Sequence, residues 1–414
     1  MSLKVPSTRR VFLGASLKGM GALLAGCGVD GRSQSVLAAN SSDGDRSGAA
    51  PGGAGGGMNG TSLISEEHAL GSPDAHGIRL PPGYSVRVIA TSGERVLSDS
   101  NSYVWHSAPD GGATFAVSEG GWIYVSNSEV LGAGGVGALV FDANAGIIDA
   151  YSILFGTTMN CQGGATPWGT WLSCEEVTLG KVYECDPGGK IESAVRPALG
   201  VFRHEGLTYD ETTHYLYMTE DEPDGGLYRF VPEVMDERGA DLSQGRLEIA
   251  RVLDGRISWV NVPDPTLQEK VPTRYQVEKS QAFNGGEGIW WQDNEVLFTT
   301  KGDDRVWSYS TIDDSLRVLY DPLVSPSPIL SGVDDILKNA SGEIFVAEDQ
   351  GDMQIVMILA TGEMRPLLQV TGQETSEITG LAFDPSGTRL YFSSQRGITG
   401  QGITYEVTGP FSQS

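Results

Sequence analysis

Basic side chains are scarce in this sequence: 28 Lys and Arg stand against 53 Asp and Glu, a formal charge of −25. That balance excludes nucleic acid and anionic membrane surfaces as partners, because both recruit a basic patch. Histidine is scarcer still. Five are present, at 68, 76, 106, 204 and 214, and only His204 stands beside other chemistry-bearing residues, so an imidazole-built zinc site is not expected. No apolar run is long enough for a permanent membrane span. There is no G-x-S-x-G elbow, H-E-x-x-H helix or P-loop, and no sustained 3.6-residue periodicity marks a long helix.

What remains is rich in glycine and aromatics. The chain of 414 residues has 56 Gly, 8 Trp, 14 Tyr and 12 Phe, with 39% hydrophobic residues, enough to bury a folded core and too much for a disordered chain. The N-terminus carries Arg9-Arg10 ahead of a short, weakly apolar stretch that ends in Leu24-Ala25-Gly26-Cys27. A twin arginine in this setting is an address for export of folded proteins, and the small residues before Cys27 match a lipoprotein cleavage site. Residues 1–26 are therefore expected to be a signal peptide and Cys27 the lipidated residue; an ordinary cleavage near Ala38-Ala39 is the competitor. Losing Lys4, Arg9, Arg10 and Lys18 would shift the charge by four, from −25 to −29. Residues 27–75 are mostly small and polar and read as a flexible tether, so the membrane is reached only through the lipid. The expected location is the periplasm or cell surface, with the twin-arginine machinery as a partner and a monomeric domain over 76–414.

That domain repeats itself. Short apolar runs ending in small polar residues and then, in most copies, a carboxylate recur at Trp122–Glu129, Thr170–Glu176, Tyr215–Asp221, Glu295–Lys301, Glu343–Asp349 and Arg389–Gln395. Anchored on Tyr124, Leu172, Tyr217, Leu297, Phe345 and Tyr391, the spacings are 48, 45, 80, 48 and 46. A period in the forties with several strands per copy predicts an all-β, six-bladed β-propeller, one blade per copy. The long interval predicts an insertion at about 232–283. The last copy is short of strands unless Tyr84–Ala90 completes it and closes the ring, which would also remove the exposed edges. A β-sandwich fits twenty or so regularly spaced strands poorly.

If the repeated strand is equivalent in every blade, its ends surround one channel and bring carboxylates together there. Such a group repels itself unless a hard cation is present, and Ca2+ takes six to eight oxygen ligands; single carboxylates capping turns in solvent are the plain alternative. Three segments add chemistry: Asn160–Glu176, dense in Gly, Trp and Cys; Phe202-Arg203-His204-Glu205; and Phe283-Asn-Gly-Gly-Glu287-Gly288. With Cys27 lipidated, an odd thiol is left in an oxidising compartment. Cys174 and Cys185 are expected on adjacent strands, where a disulfide between them is open; Cys161 is the odd one, either buried and inert or a metal ligand.

These segments, NCQGGATPWGTWLSCEE, FRHEGLTYD, YMTEDEPDGGLYRFVPE, FNGGEG, GEIFVAEDQG and LAFDPSGTRLYFSSQRG, resemble the PhoX-type alkaline phosphatases in the same order over nearly all of 80–411. The resemblance implies a shorter member of a family of exported six-bladed propellers that hydrolyse phosphate monoesters with iron and calcium ions. It implies Cys161 as an iron ligand, Glu287 as a bridging carboxylate, and Glu176, Glu205, Glu220 and Glu348 as ligands of Ca2+ or Fe3+. Glu129 matches an early Asn-His-Glu element whose centre here is Ser128. The family's Arg-Pro-Glu around the bridging carboxylate has Gly285 in place of its Arg, so the substrate-gripping charge is expected from Arg203 or Arg396, with Lys301 and Arg305 as further candidates. The expected substrate is a small phosphorylated molecule. A calcium-dependent lactonase or esterase, and a non-catalytic binding propeller, are the rival readings.

Overall fold

Why the second strand of each repeat is so regular becomes plain in the computed structural model, which describes residues 69–99, 102–236, 239–326 and 328–411. The six anchors Tyr124, Leu172, Tyr217, Leu297, Phe345 and Tyr391 are all buried between sheets. Removing each such side chain from water stabilises the fold by roughly 1.5–3 kcal/mol, so the repeat is a record of packing.

Six antiparallel sheets follow one another along the chain. The first blade holds Pro109–Ala116, Trp122–Ser128, Gly134–Phe141 and Ile147–Thr157; the second, Asn160–Ala165, Trp171–Glu175, Val182–Cys185 and Ala194–Val195. The third begins with His204–Tyr209, Leu216–Glu220 and Leu227–Pro232, and the fourth holds Gly286–Gln292, Glu295–Thr300, Arg305–Ser310 and Leu316–Tyr320. The fifth holds Val333–Lys338, Ile344–Glu348, Gln354–Ile358 and Met364–Val370, with Ile78–Arg79 added at its edge. The sixth has Ile378–Phe383, Arg389–Ser394 and Ile403–Thr408 from the C-terminus, and Ser85–Thr91 pairs with the last of these as its outer strand. The ring is thus closed by the N-terminal strand, as the sequence predicts, and Arg87 locks the join with a two-pronged contact to Glu406. Across the seam, Trp122 Nε1 donates to Tyr391 Oη at 3.1 Å and Tyr124 Oη to the Gly380 carbonyl at 3.1 Å.

The region 232–283 is not one insertion. Gly245–Leu253 is the third blade's own fourth strand and Arg256–Asn261 a fifth, while the added chain is a short hairpin, Met235–Asp236 with Gly239–Ala240, and the loop after Asn261. Arg274 ties that loop down through Glu220 at 2.8 Å and Asp224 at 2.9 Å.

No disulfide joins Cys174 to Cys185. Their strands are adjacent, but Cys185 pairs with Trp171 and Cys174 with Val182, three positions away along the strand. With a two-residue side-chain period, the two sulfurs face opposite sides of the sheet. The signal peptide, Cys27 and most of the tether lie outside the described residues, and among those described no helix is long and apolar enough to cross a membrane.

Candidate metal centre

The first strand of every blade lies nearest the axis, and each has an extra residue at the same end. In the first five blades the register slips just after the opening pair: Pro109 with Ser128, Asn160 with Glu175, His204 with Glu220, Gly286 with Thr300, Val333 with Glu348. A bulge re-aims the residue within it. The five residues so placed are Asp110, Cys161, Glu205, Glu287 and Asp334. In the sixth blade the slip falls one residue later, and the equivalent residue is Thr379, whose hydroxyl donates to the Pro109 carbonyl at 2.8 Å.

The residue after each second strand makes an outer circle: Glu129, Glu176, Asp221, Lys301, Asp349 and Gln395. Glu377, just before the sixth blade, completes the group. Ligand atoms of Glu129, Cys161 and Glu176 lie within 4.8 Å of one another, as do those of Asp110, Glu129 and Glu377, of Glu205, Glu287 and Asp334, and of Asp334, Asp349 and Glu377. Among the sequence-predicted residues, Glu129, Cys161, Glu176, Glu205 and Glu287 are therefore brought together.

Glu220 and Glu348 are not. Each is the last residue of its strand, paired with the opening residue of the first strand, and so points away from the axis. Glu220 accepts from Gly226 N and Tyr228 Oη at 2.8 Å and meets Arg274; Glu348 accepts from Ser331 N and Gln354 N at 2.9 Å. Their neighbours Asp221 and Asp349 are the residues that face the cluster. His204 shares the orientation of Glu220: its ring lies 3.6 Å from that of Phe202, and burial pushes its pKa down to about 3, so it is a neutral packing group.

Three cations are set into the acids. Arg203 meets Glu176 at 2.5 Å and Asp221 at 3.2 Å, and Arg396 meets Glu377 at 3.1 Å and Glu129 at 3.7 Å. Lys301 Nζ lies 3.1 Å from Glu287, 3.0 Å from Asp334 and 3.2 Å from Asp349. Burial alone would lower the Lys301 pKa, but Asp334, Glu287 and Asp349 carry it upward and keep it charged. Were all nine carboxylates (Asp110, Glu129, Glu176, Glu205, Asp221, Glu287, Asp334, Asp349, Glu377) ionised, the three cations would leave six negative charges uncompensated.

The remaining excess shows in the acid strengths. Burial, and after it neighbouring carboxylates, raise Asp110 and Glu205; burial and Glu129 push Glu176 up to about 9; burial and Asp334 push Glu377 up to about 8. Burial raises Glu287 and Asp334 as well, against the pull of Lys301. The Cys161 thiol is raised by burial and then by Asp110 and Glu205, and its Sγ donates to Glu205 Oε1 at 2.9 Å. Glu205 Oε2, Asp349 Oδ1 and Gln395 Oε1 are buried with no hydrogen-bond partner. Unpartnered oxygens beside raised carboxylates and a thiol fit cations in both respects: hard oxygen donors suit Ca2+, and the thiolate suits a softer ion such as iron.

None of the cluster residues is among those lining the open cavity between the first strands. That cavity, about 790 Å³, lies along the farther halves of the first strands, against Gly112, Gly164, Thr208, Ile289, Leu337 and Phe383. Between the two regions Gly288 runs so close to the fifth blade that a Cβ would lie 2.8 Å from Asp334 O. Gln162 lines that cavity and also reaches the cluster, its Nε2 donating to Asp334 Oδ1 at 3.0 Å.

Asp110, Asp334 and Glu377 escaped the sequence reading. Asp110 and Asp334 had a signal: counting back from the strand-end residue, Cys161 to Glu176 is 15 positions and Glu287 to Lys301 is 14, and the same step from Asp349 lands on Asp334. The longer first hairpin puts Asp110 19 positions before Glu129.

A family model described as alkaline phosphatase PhoX matches residues 140–185 and 178–315. By sequence, none of the curated proteins matches this chain. Among solved structures, Pseudomonas fluorescens PhoX in complex with vanadate, a transition state analogue, superposes with a TM-score of 0.70 at 16% identity, over 83% of this chain and 97% of that one. A Bacteroides thetaiotaomicron VPI-5482 structural genomics protein of unknown function gives a TM-score of 0.51 at 10% identity, over 78% and 76% of the two chains. These two likenesses are of fold.

Proposed function

We propose that the chain is a member of the PhoX-type alkaline phosphatase family, whose model it matches over residues 140–315, and that it hydrolyses small phosphate monoesters at a cluster of iron and calcium ions. The observation that carries the reading is the register: five successive blades deliver a ligand-type side chain from the same bulge, and one of them is the buried thiol Cys161. A calcium-dependent lactonase has no use for that thiol.

Cys161, Glu129 and Glu176 would hold iron. The all-carboxylate groups, Asp110 with Glu129 and Glu377, Glu205 with Glu287 and Asp334, and Asp334 with Asp349 and Glu377, suit calcium. Bound there, the ions supply positive charge to phosphoryl oxygens and activate water for in-line attack. The chain's own part is to give up protons and to orient. Cys161 Sγ releases the proton it shares with Glu205 Oε1, and Glu176 and Glu377 release theirs. Arg203 and Arg396, whose side chains are 37% and 46% exposed, stand at the rim where a monoester enters and orient its oxygens. Gly285 cannot simply take back the family's Arg, because its φ of 68° strains any side chain.

Export by the twin-arginine machinery, loss of residues 1–26, lipid on Cys27 and a monomer tethered at the periplasmic or cell surface complete the proposal. The decisive experiment assays purified protein on a chromogenic phosphate monoester, loaded with iron and calcium and again after chelation. Hydrolysis lost on chelation is expected; inertness of a sample carrying both metals would refute the reading.

A further inference from the structure

One member of the outer circle breaks its chemistry. Where the other blades present Glu129, Glu176, Asp221, Asp349 and Gln395, the fourth presents Lys301. Its side chain is 34% exposed, but the ammonium end is engaged by acids. Nζ sits on a tripod of carboxylate oxygens from two blades, Glu287 of the fourth and Asp334 and Asp349 of the fifth, all at 3.0–3.2 Å. Three oxygens converging on one positive centre is what a small cation asks for, and an ammonium meets the same need at slightly longer range.

Two further observations fix Lys301 there. Its backbone N donates to the Gly285 carbonyl at 2.8 Å and Gly302 N to the Asn284 carbonyl at 3.0 Å, so the turn that carries it is pinned to the chain just ahead of Glu287. Glu287, 2% exposed, makes no hydrogen bond through Oε1, leaving the Lys301 ion pair as the interaction that offsets its burial. On either side of this tripod stand the groups of Glu205 with Glu287 and Asp334, and of Asp334 with Asp349 and Glu377. A divalent ion placed between them would share ligands with both.

We infer that Lys301 is a resident cation filling one metal position of the cluster, so that this chain binds one divalent ion fewer than its carboxylates would accommodate. The inference rests on the cation-cluster reading above and deepens it. Lys301 positions Glu287, Asp334 and Asp349 for the ions on either side and holds a fixed charge that chelators cannot remove.

The test is the metal content of the full mature protein. Lys301→Ser opens the tripod and leaves room for an ion with its waters; Lys301→Arg keeps the charge. Elemental analysis after exhaustive dialysis in CaCl2, with calorimetric titration of Ca2+ into chelated protein, is expected to give one more Ca2+ per chain in Lys301→Ser than in wild type, and the wild-type number in Lys301→Arg. Folded Lys301→Ser, judged by circular dichroism, that binds the wild-type number or fewer would overturn the inference. Its failure is distinguishable from that of the cluster itself, because wild type binding no metal at all would refute the parent proposal before any variant is made.

Discussion

Cys161 and Glu205 come from consecutive blades, and the thiol of the first donates to the carboxylate of the second across 2.9 Å, both side chains being buried. Each is held in its less reactive, protonated form by burial and by the acids around it. A cation reverses both preferences at once.

Replacing Cys161 with Ala is therefore expected to remove iron while leaving most calcium, and to lower kcat/KM by more than about 100-fold. Elemental analysis and the visible spectrum of the purified variant check this. Unchanged iron would show that the thiol is a packing group.

Asp349 and Glu348 separate a ligand from its structural neighbour. Asp349→Asn should weaken Ca2+ binding by about 10-fold with little change in the melting temperature of the metal-free protein. Glu348→Gln, which disturbs buried bonds to Ser331 N and Gln354 N, should cost about 1–3 kcal/mol of stability and leave the metal count unchanged. Calorimetric titration and thermal melts read the two effects apart.

Metal-free protein should lose stability as pH rises. Glu176 and Glu377 are pushed up to about 9 and about 8, so the folded state keeps protons that the unfolded chain releases above about 4.5. Between those values each group weakens the fold by about 1.4 kcal/mol per pH unit. Melts of chelated protein from pH 5 to 9 should fall steadily, and saturating Ca2+ should flatten the slope.

Arg203→Gln and Arg396→Gln are each expected to raise KM about tenfold with a smaller effect on kcat, because both guanidiniums stand at the rim. A loss confined to kcat would assign them to the reacting atoms instead.

Thiol labelling of unfolded protein should count Cys161, Cys174 and Cys185 as free, and a reductant should leave the melting temperature within a degree. A shift on reduction would restore the disulfide between Cys174 and Cys185.

Much of the fold was legible because a blade cannot bury its faces alone. That requirement puts an aromatic or aliphatic residue at the same point of every second strand, and Tyr124, Phe345 and Tyr391 mark the period in plain text. The site was legible only where a residue type is conspicuous, as with Cys161 between glycines or Glu287 in its Gly-rich turn. Asp334 hides in Val333-Asp334-Asp335, where nothing in the local sequence tells a bulge from a turn. In the run Thr219-Glu220-Asp221 and again in Ala347-Glu348-Asp349, two acids are adjacent and the sequence offers no reason to prefer either.

The sequence by itself determined the propeller, its number of blades, its closure by the N-terminal strand and the gathering of acids at one level, because each follows from repeated local burial. Only the tertiary structure decided which acids meet. Side chains alternate across a strand, so a one-residue change of register exchanges the axis for the blade interior. The pairings of His204 with Glu220 and of Val333 with Glu348 set that register, and they turn Asp221 and Asp349 toward the cluster.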